Sequence, residues 1–84
     1  MPYNGIAMIR ARIKEEAERQ NLTLSLLTRK SGVSGSSARR LWYNTADGRS
    51  EGPPLESIHL ATLEAVAKVL GKNPLDLLEY TQDK

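Results

Sequence analysis

Ser36, Arg40 and Tyr43 recur at intervals of four and three in the stretch GSSARRLWY, with Ser37 and Arg39 beside them. Wound at 100° per residue, the first three share one helical side and Ser37 and Arg39 flank it. Ala38, Leu41 and Trp42 fall opposite, on a face suited to a core. The polar side holds hydroxyls and guanidinium groups and not one carboxylate. Such a face is rich in donors, and its natural complement is an acceptor-rich surface: phosphate oxygens, or a guanine edge to which arginine donates two parallel bonds. Polar faces that only meet water ordinarily mix both signs. The plainer alternative is an amphipathic helical hairpin with a solvated face.

The elements that must position this face lie in Leu22 to Asn44, LTLSLLTRKSGVSGSSARRLWYN. Thr23 is a good N-cap, and Leu24 and Leu27 then recur on one helical side. Gly32 falls where that first helix must stop, since glycine enters the left-handed region without steric cost. Val33 follows as an apolar plug, and Ser34 caps a second helix running to about Tyr43. Two short helices joined by a tight turn make a helix-turn-helix. Thr23, Ser25, Lys30, Ser34 and Tyr43, with the backbone amides at the helix starts, are the candidates for phosphate contact.

The remainder of the chain reads as further helices. Residues 1–5 are an extended arm with Asn4 a candidate cap. Ile6, Ile9, Ile13 and Ala17, spaced 3, 4 and 4, predict a helix from Ile6 to about Gln20 whose outer face, Glu16 included, is solvated. Residues 44–57, NTADGRSEGPPLES, exclude regular structure through Gly48, Gly52, Pro53 and Pro54. That loop is long for so small a domain, and it is either a functional loop with Arg49 on phosphate or a floppy insertion. Ile58 and His59 lead into a helix to Leu70, with Leu60, Leu63, Val66, Ala67 and Leu70 as its stripe and Gly71 as its stop. Asn73-Pro74 opens a short last helix with Leu75 and Leu78 inward and Leu77 and Tyr80 pointing elsewhere. Residues 81–84 form a frayed tail. The expectation is an all-α domain of five helices, with the helix-turn-helix at the second and third.

Composition bounds the function. The chain has 84 residues, one domain's worth, and a formal net charge of +2. Residues 1–50 hold nine Lys/Arg against four Asp/Glu, a net +5, and residues 51–84 hold three against six, a net −3. A basic half that contains the donor-rich helix fits one face on phosphate. The absence of cysteine excludes disulfides and thiolate metal sites and favours a cytoplasmic setting. No apolar run approaches the ~20 residues of a membrane span, and no signal-peptide pattern opens the chain. His59 is the single histidine; no metal-ligand spacing and no nucleophile with a base beside it is present, so an enzyme is not expected.

LTLSLLTRKSGVSGSSARRLW and IHLATLEAVAKVLGKNPLDLLEY together resemble the phage-repressor and Cro type of helix-turn-helix domain, also called XRE-like or lambda-repressor-like. The resemblance runs from about Ile9 to Tyr80. Its anchor leucine falls on Leu27, its turn glycine on Gly32 and its apolar plug on Val33. The chain departs from the pattern at Leu24, where relatives carry a polar residue, at Thr28, where they carry alanine, and at Ala38, whose lost volume Trp42 fills in the core. The resemblance implies a sequence-specific, double-stranded-DNA-binding transcriptional regulator from a prokaryote or phage. The helix 34–43 would enter the major groove, with Gly35, Ser36, Ser37, Arg39 and Arg40 at base-reading positions. It also implies a weak homodimer on two half-sites, for which Leu77 and Tyr80 are the candidate surface. No cofactor, metal or small-molecule effector is expected. The alternative is a protein-interaction module on the same scaffold, an antitoxin-like partner.

Overall fold

The structure, a computed structural model, describes residues 7–82. The expected arm over residues 1–5, the Asn4 cap, the start of the first helix at Ile6, and residues 83 and 84 lie outside them. In chain order the elements are β1 (Ala7–Ala11), α1 (Ile13–Arg19), α2 (Leu24–Ser31), α3 (Gly35–Tyr43), α4 (Leu60–Leu70), a 3₁₀ turn (Pro74–Leu77) and β2 (Leu78–Gln82). The helix-turn-helix therefore forms as α2 and α3, between the caps read from the sequence.

The expectation of an all-α, five-helix domain is corrected. There are four α-helices and a two-stranded antiparallel sheet among the described residues, with Ile9 opposite Tyr80 and Ala11 opposite Leu78. Of the helix expected from Ile6, Ala7–Ala11 is strand and helix begins only at Ile13. The expected last helix is one 3₁₀ turn that straightens into strand, and Thr81 and Gln82, assigned to the frayed tail, pair in it. The reason is that Ile9, Ile13 and Ala17 fit a helix, while Ile9 and Ala11 alone fit a strand. A five-residue strand is worthless without a partner, and that partner is supplied from the far end of the chain. Arg10 stitches the ribbon to α1, donating to Glu79 Oε1 at 2.8 Å and to Glu15 Oε2 at 2.9 Å.

The core gathers Ile13, Leu27, Leu63 and Val66, all fully buried, with Leu41, Trp42, Leu70 and Leu77 around them. Each such side chain contributes ~1.5–3 kcal/mol on burial. Leu77 is only 2% exposed and Leu75 is 71% exposed, the reverse of the expected facing. At three residues per turn the 3₁₀ geometry rotates each position further than an α-helix does, which brings Leu77 inward. Leu77 is thereby removed from any subunit surface. Leu60 leaves the expected stripe and is solvent-exposed. Glu16, assigned to the solvated face of α1, is buried, and it accepts from Arg19 and from the Gln20 amide, each at 3.0 Å.

Asn44 fixes where α3 ends and how it lies. It takes the left-handed conformation (φ 58°) that closes the helix. Its side chain then acts as a surrogate strand partner: Ala11 N–H donates to Asn44 Oδ1 at 2.6 Å, and Asn44 Nδ2 donates to the Ala11 carbonyl at 2.9 Å. No helix among the described residues is long and apolar enough to cross a membrane.

Candidate nucleic-acid interface

Two hydroxyls open the two helices of the motif. Thr23 Oγ1 accepts from Leu26 N–H at 3.1 Å, and Ser34 Oγ accepts from Ser37 N–H at 3.2 Å. Between them Gly32 stands at φ 76° and half-buried Val33 packs down onto the core. Each cap satisfies one amide of its first turn. The amides of Leu24, Ser25, Gly35 and Ser36 meet no acceptor among the described residues. Two N–H groups at each of the two helix starts are thus left without a partner, where the helix dipoles favour an anion.

The outer face of α3 divides along its length. Ser36 and Arg39 are exposed near its start. The terminal nitrogens of Arg39 lie 3.9 Å from where a Cβ on Gly35 would stand, so the guanidinium folds back over the first turn. No hydrogen bond or ion pair engages it among the described residues. Ser37 is half-buried and its hydroxyl accepts from Ser34 Oγ at 2.9 Å, which leaves Ser37 one proton to donate outward.

Further along α3 the 44–57 loop intervenes. Gly48 is buried at φ 80°, and a Cβ there would stand 3.3 Å from Arg39 Cβ, 3.5 Å from the Ser36 carbonyl oxygen and 3.6 Å from Arg40 Cγ. The loop backbone therefore rests directly on the helix between the two arginines. Arg40 is half-buried, in a seam with Leu55, Ile58, His59 and Thr62. Tyr43 is half-buried against the core. The helical wheel sets Arg40 and Tyr43 opposite the core. The wheel angle was right, but the face it points to is partly roofed by the loop.

No helix or strand forms in this loop, as its glycines and prolines require, but its two ends are tied together. Thr45 and Pro54 pair as an antiparallel bridge, extended by Ala46 N–H to the Pro53 carbonyl at 2.8 Å and Leu55 N–H to the Asn44 carbonyl at 3.0 Å. Buried Thr45 donates its hydroxyl to the Arg49 carbonyl at 2.7 Å. Asp47 accepts from Arg49 N–H at 3.0 Å and from Arg49 Nε at 2.9 Å. Those bonds, the backbone one first, hold the Asp47 carboxyl below the usual carboxylate range.

Gly35, Ser36, Ser37 and Arg39 thus come together over the first turns of α3, behind its cap Ser34, while Thr23 and Ser25 stand at the entry of α2. Lys30 is exposed in the last turn of α2, and Arg49 is exposed on the loop. Sequence reasoning gives Asn44 and Asp47 no role and takes Gly48 only as a breaker of regular structure. For Asp47 and Gly48 the signal is the Asp-Gly pair before a Pro-Pro, a turn signature on a returning loop. No group of His, Asp and Glu that could hold a metal ion occurs among the described residues.

Residues 12–83 match the family model described as a Cro/C1-type HTH DNA-binding domain. No curated protein and no solved structure matches the chain.

Proposed function

The chain belongs to the Cro/C1-type helix-turn-helix DNA-binding family, and from that premise we propose that it is a sequence-specific, double-stranded-DNA-binding transcriptional regulator. The observation that carries the reading is Arg39. It is exposed, engaged by no carboxylate among the described residues, and folded over the first turn of α3, beside amides that meet no acceptor. The first turn of the second motif helix is the part that meets base edges in this docking geometry. Arg39 donates its fork to a guanine edge, with Gly35 admitting close approach and Ser36 and Ser37 adding single bonds. Arg40 reaches the same groove from under the loop. Thr23, Ser25, Lys30, Ser34 and Tyr43, with the amides of both helix starts, set the register on phosphates. The regulator acts as a weak dimer whose surface includes Ile9 and Tyr80, cross-strand neighbours that are 50% and 63% exposed.

Selection of bound sequences from random duplex DNA, followed by affinities at graded salt, tests this. With roughly four to six phosphates neutralised, log K falls with log salt at a slope of about −4 to −5. Arg39→Ala relaxes preference at one base position by ~1–3 kcal/mol and leaves melting nearly unchanged. No binding at roughly 50 mM salt, or an Arg39→Ala variant that loses affinity equally for every sequence, refutes the reading.

A further inference from the structure

Arg49 sits on the outward part of the loop with a guanidinium that is held and yet still available. Its backbone N–H and its Nε both donate to Asp47, at 3.0 and 2.9 Å. Its carbonyl accepts from Thr45 Oγ1 at 2.7 Å and from Gly52 N–H at 3.2 Å. The side chain is nonetheless 78% exposed, and neither Nη has a bonding partner among the described residues. The preceding residue, Gly48, is the one pressed onto α3. Consecutive Cα atoms are ~3.8 Å apart, so Arg49 is carried at the edge of the reading face and not at the far side of the molecule.

Phosphate anchoring asks for net positive charge, and either lysine or arginine supplies it. Here the charge is cancelled at contact distance by Asp47, and with Glu51 the stretch 47–51 has a net charge of −1. What Asp47 preserves is the planar outer edge of the guanidinium. It also restricts the rotamers that an exposed arginine otherwise gives up on binding. A fork that is pre-organised but locally neutral suits a partner recognised by geometry, and guanine O6 and N7 are such a pair of acceptors.

We propose that Arg49, held by Asp47 on a loop docked against α3, reads a guanine edge next to the base pairs met by the first turn of α3. This rests on the DNA-binding reading and adds to it a second specificity-determining residue from outside the helix-turn-helix. The full chain, Arg49→Lys, Asp47→Asn and Arg39→Ala are compared, each checked by thermal melting, on the selected site and its single-base variants. Arg49→Lys keeps the melting temperature and loses on the order of tenfold preference for guanine at one position, different from the position relaxed by Arg39→Ala. Asp47→Asn keeps an acceptor for Arg49 N–H, loses part of the same preference, and binds all sequences more tightly because a charge is uncovered. If Arg49→Lys changes nothing or weakens every variant equally, or if Asp47→Asn keeps the full preference, the assignment is overturned while DNA binding stands. If the full chain binds no duplex, the DNA reading fails first and the assignment with it.

Discussion

Gly48→Ala tests whether the loop bears on α3, and Gly32→Ala is its control. Both glycines have left-handed backbones, φ 80° and 76°. They differ in surroundings: a Cβ on Gly32 meets nothing within 4 Å, whereas one on Gly48 comes within 3.3 Å of Arg39 Cβ and 3.5 Å of the Ser36 carbonyl oxygen. The left-handed backbone alone costs an L-residue ~1–2 kcal/mol, and that is all Gly32→Ala loses. Gly48→Ala loses the same plus an overpacking cost of ~1–3 kcal/mol. The loop can lift off instead of compressing, so its docking energy caps that second part. In a domain of this size each kcal/mol lowers the melting temperature by roughly 4–8 °C, and thermal melts of the two variants resolve the difference. Adding Arg39→Ala brings no relief, because the crowded atom is Cβ, which alanine keeps. A Gly48→Ala variant that melts no lower than Gly32→Ala refutes the docked loop, and with it the covering of Arg40.

Two further outcomes are expected. The Glu16 carboxyl is held below its ordinary value of 4.5, first by the Gln20 amide and then by Arg19 and Lys72. A lowered folded pKa gives stability that is full above the unfolded value and is lost as pH falls through the folded one. Melting temperature therefore falls on acidification below about pH 4.5, and Glu16→Gln shows a shallower fall; an unchanged acid slope refutes the role of this cluster. Ile9→Ser with Tyr80→Ser, both exposed, leaves melting within ~0.5 kcal/mol but abolishes cooperative binding to a two-fold site with half-sites ~34 Å apart. Cooperativity that survives places the dimer surface elsewhere.

Short-range chemistry decided what could be read from the sequence. Thr23, Ser34 and Gly32 act on amides and carbonyls within a few residues of themselves, so the start of each motif helix and the end of α2 are written locally. The same holds for the Ala38–Leu41–Trp42 face of α3, whose burial follows from helical spacing and is found in the structure. The donor types at the start of α3 are likewise properties of the residues themselves. Tertiary structure alone decided the rest, because the rest depends on pairing between distant residues. Ile9 is a strand residue because Tyr80 returns to lie opposite it, and a lone five-residue strand has no reason to form. Leu77 turns inward because the chain tightens into a 3₁₀ turn to reach that pairing. Arg40 is half-covered because Gly48, with no side chain, lets a loop backbone approach α3 more closely than any other residue allows. Helical spacing assigns the side of the helix on which a residue lies; it carries no information about which later segment will come to rest there.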